Sequence, residues 1–109
     1  MNYLAYMWAE RGINLDKALE YATRAVKLAP EEGAYLDTLG WVYYQRGEYG
    51  KALDFLKKAA RRIPDDPVVC DHLGDTWDAL KEPGKARYYW QKSVNLEPGK
   101  LVPAKGRKE

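Results

Sequence analysis

Few residues in this chain could do chemistry. His72 is the only histidine, and Asp71, Asp75 and Asp78 stand close to it. On a helix the three aspartates fall at i, i+4 and i+7, one face, with the imidazole beside them. One histidine among mobile carboxylates is poor ligation for zinc, so an exposed acidic helix face is the better of these two readings. Cys70 is the only cysteine, which excludes an internal disulfide and leaves the redox compartment open. Free cysteine is among the most buried residue types, and a packed structural thiol is expected there. The chain carries no glycine-rich phosphate loop, no metal-spaced cysteine or histidine cluster, and no serine or cysteine set near a histidine in a recognisable motif. These absences argue against an enzyme and call for no metal and no cofactor.

Charge narrows the partners. The 109 residues are 46% hydrophobic and 31% charged, with a formal net charge of +2, as expected of a soluble globular protein. The last eleven residues, 99–109, hold Lys100, Lys105, Arg107 and Lys108 against Glu109, so the body before them is about −1. It offers no general attraction for nucleic acid. Lys57, Lys58, Arg61 and Arg62 form a dense basic run within the repeats. It suits the negative end of a helix, and no aromatic residue interleaves it as single-strand stacking would require. No apolar run approaches the roughly 20 residues of a membrane span, and no signal peptide opens the chain.

The elements that must position these residues repeat. Leu39, Gly40, Ala52 and Pro64 recur as Leu73, Gly74, Ala86 and Pro98, 34 residues on, and Ala18 and Pro30 precede Ala52 and Pro64 by the same interval. Leu4, Ala5, Trp8 and Gly12 precede Leu39, Gly40, Tyr43 and Gly47 by 35, which places one inserted residue in the turn between Gly12 and Ala18. Apolar spacing and breakers predict six helices: from Asn2 to a stop at Gly12, about 15–28, 34–46, 49–62, from Pro67 to about 80, and 83–96. Asn2 and Asn14 are candidate N-caps. Asp66 followed by Pro67 is the strongest start signal.

The stretch 33–64 carries Leu36, Leu39, Gly40, Tyr43, Ala52, Leu56 and Pro64 where a tetratricopeptide repeat (TPR) has its bulky, Leu, Gly, Tyr, Ala, bulky and Pro positions. The segment resembles that repeat, and three such units cover residues 1–98, at about 1–30, 33–64 and 67–98. The resemblance implies an all-α fold, a right-handed superhelix of three helix–turn–helix units. It also implies that the first helix of each pair lines a concave groove that binds peptides. In register, the non-core residues of those helices sort into rows: Asn2, Asp37, Asp71; Tyr6, Trp41, Asp75; Ala9, Tyr44, Asp78. With Gln45 and His72 beside them, these give a groove aromatic at its start and acidic toward its end. Tyr6, Trp41 and Tyr44 exceed what the repeat's own packing uses, since Trp8, Tyr43 and Trp77 already fill that role. Surplus amphipathic rings suit a binding surface, and the carboxylates suit a ligand with lysine or arginine beside apolar residues. Those same aspartates would repel a terminal carboxylate, so a chaperone-tail clamp is not expected.

Two functions follow from this reading. The first is a non-enzymatic scaffold holding a peptide or partner segment in the groove. The second is a structural or oligomerisation segment of a larger TPR protein, acting through uncapped ends. Solenoids ordinarily finish with a polar capping helix, whereas residues 99–109 read as a basic disordered tail. The edge around Tyr89, Trp90 and Val94 then needs cover from Leu101 and Val102, from another molecule such as a second copy, or from residues beyond this chain. The first unit opens abruptly at Met1, as if cut from a longer array. Phrases such as LDTLGWVYYQRGEYGKALDFLKKA resemble the terminal repeats of long bacterial TPR proteins, some of them envelope-associated. That leaves a cytoplasmic or envelope-associated location open.

Overall fold

The computed structural model describes residues 2–97; the readings of the basic tail, and of Leu101 and Val102 as a cover, lie outside the described residues. Six helices follow in order: α1 Asn2–Arg11, α2 Leu15–Leu28, α3 Gly33–Gln45, α4 Tyr49–Arg62, α5 Pro67–Ala79 and α6 Pro83–Leu96. Short turns fold α1 on α2, α3 on α4 and α5 on α6, and the pairs stack in sequence order. No strand occurs among the described residues. The fold is the all-α helical-repeat solenoid that the resemblance implied.

Small residues set the closeness of each pair. A Cβ added at Gly40 would lie 2.8 Å from Leu56 Cγ, and one at Gly74 would lie 2.3 Å from Trp90 Cδ1. Ala5, Ala18, Ala52, Ala59 and Ala86 are fully buried at the other contact points. One apolar cluster joins the first and second pairs through Ala9, Ala22, Leu39 and Val42. A second joins the second and third through Leu36, Leu56, Val69 and Leu73. Burial of a side chain such as Leu56 contributes about 1.5–3 kcal/mol. The middle pair therefore has core on both sides, and each outer pair on one.

Helix ends match the expected punctuation to within a residue. Asp66 accepts hydrogen bonds from the amides of Val68 and Val69, at 2.8 and 3.1 Å, and Pro67 is the first helical residue of α5. The other two candidate caps are corrected. Asn14 stands ahead of α2 with φ 49° and makes no side-chain capping bond. It takes the left-handed conformation because the turn carries its extra residue there. The amide of Ile13 bonds back to the carbonyl of Trp8 as that of Glu48 does to Tyr43, while Asn14 still supplies the carbonyl for Ala18. Asn2 lies within α1, its Oδ1 buried without a hydrogen-bond partner.

Candidate peptide-binding hollow

The first helices of the three pairs, α1, α3 and α5, lie side by side, and the chemistry-bearing residues collect between them. His72 is 4% exposed, which corrects the reading of its surroundings as an exposed acidic face. The cause is tertiary. Its Nδ1 lies 2.9 Å from Oδ1 of Asp37 on α3, and its Nε2 lies 3.9 Å from Glu10 on α1. A carboxylate can only accept, so Nδ1 carries the proton. The contact satisfies both groups where an unpaired charge would be costly, since Asp37 is itself 6% exposed.

Trp41 is held in the same knot. Its ring stacks on Tyr44 at 4.3 Å and 9°, and on His72 at 3.9 Å and 14°. The residue is 7% exposed and its indole Nε1 has no hydrogen-bond partner. The row analysis placed Trp41 and Tyr44 on the inner side of α3. It did not anticipate that His72, from the next unit, would cover the tryptophan.

Beside this knot is a hollow of about 310 Å³ between α1, α3 and the start of α5. Of the expected site residues, Asn2, Tyr6 and Asp37 line it. Tyr3, Ala34, Thr38, Ile63, Asp66, Val68 and Val69 complete the wall. Tyr3 and Val68 are 72% and 42% exposed, so the wall offers accessible apolar surface next to carboxylates. The Tyr6 hydroxyl is pushed well above its ordinary pKa, first by burial and then by its hydrogen bond to Glu10, and it stays protonated as a donor throughout the physiological range. Sequence reasoning did not name Tyr3, Ala34, Thr38, Ile63, Asp66, Val68 and Val69 as site residues. Ala34 and Val68, 34 residues apart, form one further row of the same register, and Tyr3, Thr38 and His72 form another. Those rows were the available signal for the helical residues. None pointed to Ile63 and Asp66, which lie between helices.

The remaining expected residues divide. Asp75 accepts from the Trp90 indole Nε1 at 3.0 Å, which ties its carboxylate to α6. Gln45 and Asp71 are half-buried, and Asp78 is exposed. None of these four lines the hollow. Among the described residues no group of three or more His, Cys, Asp or Glu is placed to hold a metal ion, and no helix is long and apolar enough to cross a membrane. Cys70 is buried, and burial pushes its thiol up from its ordinary pKa.

Comparison with known proteins agrees with the helix pairs. The family model for the tetratricopeptide repeat matches residues 33–66, which comprise α3, α4 and the turn into α5. A TPR repeat-containing protein of Pseudomonas aeruginosa is 38% identical over 48 residues, 44% of this chain and 8% of that protein. The match thus touches a small part of that relative's length. Helices paired at the repeat's own spacing, small residues where the pairs touch, and a direct match over residues 33–66 identify the middle pair, α3 and α4, as a tetratricopeptide repeat.

Proposed function

We propose that the chain is a non-enzymatic scaffold that binds a segment of a partner protein in the hollow between α1, α3 and α5. Tetratricopeptide repeats generally mediate protein–protein interaction, and the finer reading rests on one observation. Accessible apolar groups, Tyr3 and Val68, border a wall that also holds the carboxylates of Asp37 and Asp66. A segment placing one apolar side chain in the hollow and a lysine or arginine beside it would match both features. Trp41, Tyr44 and His72 would brace Asp37 from the packed knot beside the hollow, and Asp71, Asp75, Asp78 and Gln45 would contribute to the field further along.

Burial moves the test away from Trp41, whose removal would measure stability. The variant Tyr3→Ala/Val68→Ser alters exposed surface. In a pull-down with this chain as bait, partners captured by the parent should be lost from the double variant while its circular dichroism stays that of the parent. An unchanged set of captured proteins would exclude the hollow.

A second reading, association through the ends, has its own observation. Tyr88 at the α6 edge is 61% exposed and meets Tyr89 edge-on at 4.9 Å. Under that reading the solution mass rises with concentration, and Tyr88→Ser returns it to the monomer. A constant monomer mass dismisses it.

A further inference from the structure

The basic run on α4 is more than a solvated face. Lys58, Arg61 and Arg62 stand at i, i+3 and i+4, so all three reach one side of the helix. There they line a notch of about 320 Å³ whose other wall is Pro30 and Glu31 of the α2–α3 turn, with Leu36 at its base. One carboxylate already sits in it, Glu31 Oε1 lying 2.7 Å from Nη2 of Arg62. Aromatic rings do accompany the run, one from α5 and one from the preceding turn of α4 itself. Lys57 lies 5.5 Å from the Trp77 ring centre on α5, and Lys58 lies 5.1 Å from that of Phe55. These contacts fix the ammonium groups over ring faces, which restrains two of the chain's most mobile side chains.

From this geometry we infer a second binding site, opposite in charge to the hollow, which takes a glutamate- or aspartate-bearing segment of a protein partner. Three cations against the single carboxylate of Glu31 leave a net positive notch. Its volume falls in the range of ligand pockets. Guanidinium forks suit planar carboxylates, and the pairing of Arg62 with Glu31 shows the notch accepting one. The apolar base of Pro30 and Leu36 accommodates the stem of an acidic side chain. Glu31 acts as a resident competitor for Arg62.

The test uses the full chain and a fluorescent peptide of alternating glutamate and alanine, read by anisotropy at low and at physiological salt. Saturable binding that weakens with salt is expected. Lys58→Gln/Arg61→Gln, both on exposed positions, should weaken it about tenfold, the loss of two surface ion contacts. Glu31→Gln should tighten it by removing the competitor. Glu20→Gln changes net charge equally, far along α2 from the notch, and should leave it unmoved. The proposal is overturned by absence of saturable binding, by indifference to the Lys58/Arg61 change, or by equal responses to Glu31→Gln and Glu20→Gln. It is also overturned by a chain that binds inorganic phosphate but not the peptide. Tyr3→Ala/Val68→Ser should leave this binding intact, so failure of one site is distinguishable from failure of the other.

Discussion

Trp41 carries an unpaired indole N–H inside a stack that spans two repeat units, with Tyr44 on one face and His72 on the other. Truncating it to alanine should cost about 3–5 kcal/mol in chemical denaturation, because the cavity has rigid walls. At Gly74 the reverse change applies: a methyl group would lie 2.3 Å from the Trp90 ring, so Gly74→Ala should destabilise by about 1–3 kcal/mol through overpacking. Cys70, buried with its pKa raised, should react with a thiol reagent only as fast as the chain opens, and at the free-thiol rate in denaturant. Helical spacing alone fixes which side of α3 Trp41 shares with Tyr44, and the structure sets that side against His72 of α5. Its covering by His72 was not legible in the sequence, because that contact depends on how α5 is set against α3.

Between helices, the third turn breaks a local rule. Gly12 and Gly47 take φ 68° and 83° after α1 and α3, but the equivalent residue after α5 is Lys81, at φ 67°. A left-handed lysine is strained, so Lys81→Gly should raise stability by up to about 1 kcal/mol, seen as a higher denaturant midpoint. Asp66→Ala should cost about 1 kcal/mol and fray the start of α5, where two amides lose their acceptor. The second turn holds Arg46 between Glu48 and Asp16, at 2.8 and 2.7 Å. The Arg46 hydrogen bond holds the Glu48 carboxyl below its ordinary value. A depressed folded pKa contributes stability above the unfolded value, and that contribution is lost as pH falls through the folded one. Glu48→Gln should therefore flatten the acid limb of the stability profile. Helix limits were readable because proline and glycine mark them. Asn14 misled because a residue suited to capping is equally suited to left-handed backbone.

At the scale of the whole molecule, stacking leaves the middle pair with apolar clusters on both sides. Hydrogen exchange should accordingly be slowest in α3 and α4 and faster in α1, α2 and α6, since a solenoid's stability depends on its neighbouring contacts. The three-unit architecture could be read directly from recurring Leu, Gly, Ala and Pro. The hollow could be read only in part, since residues from four separate segments, including Ile63 and Asp66 between helices, close it. Glu10, Asp37 and His72 meet across three units, and their meeting has a mechanical consequence. They fasten the first helices of the three pairs along an inner arc, whereas among the described residues the second helices, α2, α4 and α6, share no close backbone contact. A guest that wedged them apart would lengthen the inner arc and lower the curvature. The pitch of any longer array joined to this segment would then report whether the guest was present.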